Sequence, residues 1–369
     1  MSTMRDLRDK IMKASKGTHI SILSESDIAS NKELITTPAY DLNRILSGSI
    51  YGGLLSKTLS LFIGPEASGK SSLMCLCLVE AQKKGFTPVI IDTEGAWDKN
   101  FVMRWGLDPD KILYIYTPWV DQVCVTLANI IDTGDKKLAL VVDSIGGLEK
   151  KKLLSDSLGG DVKADQGTLQ KEIKRMLKLL LNICKAQDSL AMISGHYYGN
   201  PTGYGEADLV GGGKFAKLAP DIIVSLKNMK KWENPNAKGV ARGKVMGNTI
   251  SAITLKNRYY PPFNEALIDI DYINGINKNA GMLELAKNAE IVQLAGSWYS
   301  WHEERMGQGA TKALAFIENS GDELLKEIDE WLKETGYSTI NENVMAAVAA
   351  SSETIDVPEV LDIKKTKKK

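Results

Sequence analysis

The residues Gly64-Pro65-Glu66-Ala67-Ser68-Gly69-Lys70-Ser71 fit the pattern G-x-x-x-x-G-K-[ST], with Ser72 completing the run. Glycines at these positions let backbone N–H groups converge on a phosphate at a helix N-terminus, where the helix dipole favours anions. Lys70 would bind the β- and γ-phosphates of a nucleoside triphosphate, and the Ser71 hydroxyl would hold Mg²⁺. A second acidic position, Asp143, ends the apolar run Leu138–Val142, where a carboxylate holds Mg²⁺ through water. An apolar run ending in Asp is common by itself; its partnership with the phosphate loop gives it meaning. A third run, Val89–Ile91, leads into Asp92-Thr93-Glu94. Position alone leaves Glu94 with two readings, a solvated loop carboxylate or a group that orients an attacking water.

These side chains need strands that end together and helices that start where the strands stop. Apolar β-rich runs occur at Leu59–Ile63, Pro88–Ile91, Ile112–Ile115, Leu138–Val142, Leu190–Ser194 and Ile222–Leu226. Helical stretches at Lys70–Lys84, Gln122–Asp132 and Leu169–Ala186 lie between them. Near-continuous apolar strands belong in a sheet covered on both faces, so the fold class is α/β with a mostly parallel central sheet. Further β-like runs, Thr249–Lys256 and Ala266–Tyr272, extend it. Residues 1–35 carry a helical apolar pattern (Leu7, Ile11, Met12) and a β-like run, Thr18–Leu23, too little chain to bury itself. The expected organisation is a docking segment over 1–35, an ATPase-type core over 36–275, a small α-rich domain over 276–337, helical from 282, and a flexible Lys-rich tail over 338–369.

Composition narrows the classes. Of 369 residues, 43% are hydrophobic, and 46 basic side chains balance 46 acidic ones. A globally basic nucleic-acid binder is excluded, though a local basic groove is not. No apolar run reaches the ~18 residues of a membrane span, and the N-terminus has no apolar signal core. Cys75, Cys77, Cys124 and Cys184 sit in apolar segments without paired spacing and read as buried thiols of a reducing compartment. A cytoplasmic protein is expected. Three histidines in all argue against a multi-histidine metal centre.

Taken together, the segments GPEASGKSS, IDTEGAWDKNFVMRWGLDPDKIL, VVDSIGGL, LKNRYYPPF, INGINKNAGMLELA, GSWYSWHEERMGQG and ALAFIENS resemble those of the RecA family of recombination ATPases, in the same order. The likeness runs from about residue 36 to 335. It implies a RecA-type core binding ATP and Mg²⁺, with nucleotide contacts from the loop and from Asp143 and Ser144. By the same resemblance Glu94 activates water, Asp98 and Phe101 contact and stack on adenine, and Tyr272 covers the nucleotide. Lys256 and Arg258 fall at two basic residues that reach a neighbouring protomer's ATP; read from position alone, they equally cap an edge strand. His196 falls where bacterial members carry a γ-phosphate-sensing glutamine and where phage recombinases of the UvsX type carry histidine. Alone, such a histidine reads as structural; in that role it would bring a pH response near 6.5.

The resemblance also implies that two loops hold single-stranded DNA. The first, about 150–166, contains Lys152 and Gly160; the second, 197–213, contains Tyr197, Tyr198, Tyr204, Gly211 and Gly212. Glycine and aromatic content suits insertion beside unstacked bases, and Lys171, Lys174 and Arg175 stand ready for phosphates. Glu206 and Asp208 depart from the bacterial pattern. As a bare lysine cluster, the first loop reads equally as a solvated face. The lysine tail, where bacterial relatives end in acidic residues, is either solubilising or a duplex contact.

The expected activity is ATP-dependent homologous pairing and strand exchange by a helical homo-oligomeric filament on single-stranded DNA, with double-stranded DNA as second substrate. Single-strand-binding and loader proteins are the expected accessory partners, and a membrane is not. The histidine, the tail and the altered second loop lean towards a phage-encoded member in an infected bacterial host. Two other classes share features: a hexameric helicase motor, which lacks the matching C-terminal run, and a non-catalytic single-strand coat, which would not need Lys70, Ser71, Glu94 and Asp143 intact.

Overall fold

The computed structural model describes residues 3–15, 19–26, 32–135, 137–151, 166–199, 208–210, 213–233, 245–272 and 275–335. The strands in chain order are β1 Leu34–Ile35, β2 Leu54–Leu55, β3 Leu59–Ile63, β4 Thr87–Asp92, β5 Leu113–Tyr116, β6 Leu138–Asp143 and β7 Leu190–Gly195. Next come β8 Tyr197–Gly199, β9 Asp208–Val210, β10 Ile222–Glu233, β11 Val245–Asn257, β12 Glu265–Asp271 and β13 Gly275–Asn277. Last are β14 Val292–Ala295, β15 Trp298–Trp301 and β16 Glu304–Gln308.

Nine of these strands form one sheet, ordered β13-β12-β11-β10-β3-β7-β6-β4-β5. From β10 to β5 every neighbour is parallel, while β11, β12 and β13 add on antiparallel. The cause lies in the pleat, which sends alternate side chains to opposite faces. Leu59, Leu61, Val89, Ile91, Leu140 and Val142 pack under the helices Val120–Thr133 and Gln166–Ala186. Phe62, Ile90, Ala139 and Val141 pack under Tyr40–Ser47 and Lys70–Lys83. Both faces are therefore dry. The strands predicted for the large sheet all form, and the β10–β11 pair runs longer than its apolar stretch.

Two local expectations are corrected. The β-like run Thr18–Leu23 forms no strand over its described residues 19–23; a 3-10 turn, Leu23–Glu25, begins at its end. An extended segment needs a sheet edge to pair with, and residues 19–23 pair with none among the described residues. The preceding helix, Met4–Ala14, is closed by a Thr3–Asp6 capping box and buries no residue. Arg5 and Arg8 tie it to Glu25 at 2.8 and 3.2 Å. Beyond residue 282 the chain is not helical throughout. The helices Met282–Asn288, Ala310–Ser320 and 322–335 pack with a three-stranded antiparallel sheet, β14-β15-β16. Short strands built from Trp, Tyr and Gly lack the long apolar runs that marked the main sheet.

Candidate nucleotide site

The parallel strands deliver their last residues to one edge, the place where open α/β sheets bind ligands. Register sets Ile63 beside Gly195, Val142 beside Ile193 and Asp92 beside Asp143. The phosphate loop, His196, Asp143 and Glu94 thus share that edge. The loop is tight: a side chain at Gly64 would put its Cβ 2.6 Å from the Leu226 carbonyl oxygen. Gly69 has φ +80°, a left-handed conformation that glycine accepts freely, and caps the helix Lys70–Lys83. Gly64, Pro65, Glu66, Ala67, Ser68 and Gly69 thereby wrap the N-terminus of a 14-residue helix, with Ser72 in its first turn.

Lys70 is buried, and its Nζ donates to the Gly64 and Pro65 carbonyls at 3.0 and 2.8 Å. Desolvation pulls its pKa below the usual lysine value, while the charges of Asp143, Glu94 and Glu66 push the other way. Ser71 Oγ donates to Asp143 Oδ2 at 2.6 Å. A hydroxyl and a carboxylate this close are the hard oxygen donors that Mg²⁺ takes, so these residues fit a Mg²⁺–triphosphate. Ser194 Oγ also donates to Asp143, through Oδ1.

Glu94 Oε1 accepts from Ser144 Oγ at 2.5 Å, and that hydroxyl also receives the N–H groups of Gly146 and Gly147 at 3.2 Å each. Asp92, fully buried, takes N–H donations from Glu94, Gly95 and Trp97 at 3.0, 2.8 and 2.9 Å, and fixes the loop that carries Glu94. Asp98 accepts from Phe101 N at 2.8 Å as the cap of the helix Lys99–Arg104. Tyr272, half exposed, shares a pocket with Arg104 and Trp105 from the end of that helix.

Lys256 and Arg258 are not brought to this edge. Asn257 pairs with Ile222, which pairs with Ser60, whereas the phosphate loop leaves β3 after Ile63. The two cations therefore lie at the opposite end of the parallel strands. Lys256 Nζ donates to Leu218 O at 2.8 Å, and desolvation with the Arg258 charge lowers its pKa.

Of the residues read as DNA contacts, Lys171, Lys174 and Arg175 are exposed on one face of Gln166–Ala186. Lys174 Nζ lies 5.3 Å from the Phe215 ring, and Arg175 Nη1 lies 3.7 Å from Glu172. Tyr197 and Tyr198 belong to β8, which pairs antiparallel with β9. Lys152, Gly160, Tyr204, Gly211 and Gly212, the side chains of Tyr197 and Tyr198, and the tail lie outside the described residues.

Three contributors escaped the sequence reading. Asn228 donates through Nδ2 to Ala67 O at 3.1 Å and accepts through Oδ1 from Asn248 Nδ2 at 3.0 Å, a two-residue prop under the phosphate loop. Trp97 Nε1 donates to Asp143 Oδ2 at 2.8 Å. An asparagine inside a long polar strand gives no local signal, and a tryptophan in a β-to-helix loop reads as core.

A phosphate loop facing a strand-end carboxylate, on a parallel sheet covered by helices on both faces, defines a phosphate-loop ATPase. Comparison with known proteins narrows the class. The RecA N-terminal domain model matches residues 7–277 and the RecA C-terminal domain model matches residues 280–335. Protein RecA of Aquifex aeolicus is 30% identical over 289 residues, covering 77% of this chain and 79% of that protein. Protein RecA of Dichelobacter nodosus is 27% identical over 303 residues, covering 80% and 83%. The chain belongs to the RecA family. It is a DNA-dependent ATPase that serves recombination and repair through ATP-dependent strand exchange. Among the described residues, no helix is long and apolar enough to cross a membrane.

Proposed function

We propose that the protein polymerises as a helical filament on single-stranded DNA, with ATP and Mg²⁺ at each phosphate loop completed by the next protomer. The observation that carries this reading is the placement of Lys256 and Arg258 at the strand ends opposite their own phosphate loop. Cations so placed act in trans, which makes hydrolysis depend on assembly. Filament contacts have a second support. Strand β5 is an edge of the large sheet, with Leu113, Tyr114 and Tyr116 exposed. Of the run Thr18–Leu23, the described residues 19–23 pair with no strand among the described residues, and Leu7, Ile11 and Met12 nearby are exposed. An unpaired run and an unpaired edge answer each other between protomers.

In the reaction, Lys70 and the loop N–H groups hold the β- and γ-phosphates. Ser71 and Asp143 would hold Mg²⁺, which would supply positive charge against the charge developing on the phosphates. Glu94 takes the proton of the attacking water, positioned by Ser144. Asp98 and Phe101 contact adenine from one side and Tyr272 from the other, while His196 senses the γ-phosphate at the end of β7. The two loops beyond residues 150 and 197, with Lys171, Lys174 and Arg175, hold single-stranded DNA, and homologous duplex is paired against it. Hydrolysis releases the DNA. Single-strand-binding and loader proteins assist in the cytoplasm of a bacterial cell or a phage-infected host. The domains run 1–35, 36–275 and 276–337, with a tail over 338–369.

Electron microscopy of the full chain with long single-stranded DNA, Mg²⁺ and a non-hydrolysable ATP analogue tests the proposal. Continuous helical filaments that vanish without nucleotide are expected. Threaded rings would transfer the reading to a helicase motor, and nucleotide-indifferent coating to a regulator.

A further inference from the structure

One side chain joins the two strand-end carboxylates. Asp92 and Asp143 are register partners on β4 and β6. Trp97 donates to both: its backbone N–H to Asp92 Oδ2 at 2.9 Å, its indole Nε1–H to Asp143 Oδ2 at 2.8 Å. The residue is 5% exposed, so the bond to Asp143 is a charge-assisted one in a dry environment. On its other side the ring stands edge-to-face with Phe101, centroids 5.3 Å apart at 82°.

The three donors to Asp143 are not equivalent. Ser71 and Ser194 donate through hydroxyls, which rotate to suit their surroundings. Ser71 Oγ would also offer a lone pair to a metal ion, so the direction of its proton answers to more than one partner. The indole has no such freedom. It is a donor only, and its ring belongs to the buried core and shares a cavity wall with Ile90 and Val102. Carboxylate χ2 is otherwise broad and two-fold. The indole is thus the donor to Asp143 whose direction is fixed by packing, whether or not the serine is engaged. An apolar side chain would fill the same core position, so packing does not require the N–H.

We propose that Trp97 is a positioning residue of the metal site: its indole N–H fixes the orientation of the Asp143 carboxylate, and its ring ties that carboxylate to Phe101. Metal and nucleobase contacts then engage as one unit. The inference rests on the reading of Asp143 as the Mg²⁺ carboxylate and of Phe101 as a base contact.

The test follows binding, not turnover. Fluorescence anisotropy of a ribose-labelled ATP is titrated with Mg²⁺ on the full chain. The proteins compared are wild type, Trp97→Phe, and a chain with benzothienylalanine at position 97, which keeps the indole's shape but has no N–H. Loss of a hydrogen bond to a charged group is expected to raise the half-saturating Mg²⁺ about tenfold in both. Phe101→Ala is expected to shift the midpoint in wild type and to add little in the Trp97→Phe background, the signature of coupled residues. A midpoint within about twofold of wild type in the benzothienylalanine chain, which is sterically matched and folds where Trp97→Phe does not, overturns the proposal. Full additivity with Phe101→Ala overturns the tie to the base. Asp143→Asn is the control for the underlying reading. If it leaves the Mg²⁺ midpoint unmoved, Asp143 is not the metal carboxylate, and the role of Trp97 falls with that assignment.

Discussion

Arg258 Nη1 stands 3.3 Å from Asp221 Oδ1, and the Arg258 backbone N–H donates to the Asp221 carbonyl at 3.2 Å. Asp221 is 1% exposed and also accepts from Leu59 N at 3.1 Å, with Lys185 Nζ 3.5 Å away. Tyr259 faces the same carboxylate, and burial, reinforced by the Asp221 charge, pushes its phenol up to about 12. A carboxylate so placed does two jobs: it anchors the start of β3, and it holds the arginine assigned to the neighbouring protomer's ATP.

Asp221→Asn is expected to cost about 2 kcal/mol of stability, because Lys185 and Arg258 lose the counter-charge while the Leu59 N–H keeps an acceptor. Arg258→Ala removes a half-exposed partner and is expected to cost under about 1 kcal/mol. Urea denaturation compares the two. The arginine variant is nevertheless expected to lose most DNA-dependent ATP hydrolysis while binding ATP in the absence of DNA. Retention of hydrolysis would remove Arg258 from the trans role.

Glu94→Gln keeps an oxygen to accept from Ser144 Oγ but removes the carboxylate proposed to take a proton from water. The expected outcome is normal ATP binding and filament formation with turnover reduced about a hundredfold or more, on the scale of general base catalysis. Single-turnover hydrolysis on saturating DNA measures it. Near-normal turnover would place the base elsewhere.

The sites were legible unevenly, and the reasons are physical. The phosphate loop announces itself because a strand, a glycine-rich turn and a helix follow one another in sequence, whereas Asp143 and Glu94 were singled out only by their place at strand ends beside it, Glu94 with two readings open. The main strands were equally plain, since burial on both faces leaves unbroken apolar runs such as Leu138–Val142. Trp97, Asn228 and Asn248 were not, because their roles come from strands far apart in sequence, as with the 46-residue separation of Trp97 and Asp143. The strands β14 to β16 were missed for a related reason. Val292 and Tyr299 are buried, but Gln293, Leu294 and Ala295 are exposed, so no run of apolar burial marks them.

The four thiols give a pH prediction. Burial raises Cys124 to about 11 and Cys75 to about 12, and raises Cys77 and Cys184 further, from an ordinary value of 9.0. An acid whose pKa is raised on folding contributes stability that is complete below the unfolded value and lost as pH climbs above it. Stability is therefore expected to fall above about pH 9, by up to ~1.4 kcal/mol per pH unit for each thiol. Urea midpoints between pH 7 and 10 measure this. At pH 8 the native protein is expected to react with a disulfide reagent only as fast as it opens, and all four thiols to react in denaturant. Rapid native labelling of Cys124 would contradict its burial.

Asp329 supplies the last prediction. It lies on the helix over 322–335, is 2% exposed, and accepts from Ser49 Oγ at 2.6 Å and Ile50 N at 2.9 Å. Lys333 Nζ pairs with it at 2.6 Å. Ile50 itself packs with Met282, Leu283 and Ile328, so the turn after the helix Tyr40–Ser47 is embedded in the C-terminal core. Asp329→Ala leaves the buried Ile50 N–H without an acceptor and is expected to cost about 2 kcal/mol. Because the acceptor joins two parts of the chain, the loss should be local before it is global. Hydrogen exchange is expected to speed up over residues 48–50 and 322–335, while the strands β3, β6 and β7 keep their protection. Uniform acceleration across the large sheet would mean that the C-terminal unit and the core open together, and that Asp329 is one contact among many instead of their joint.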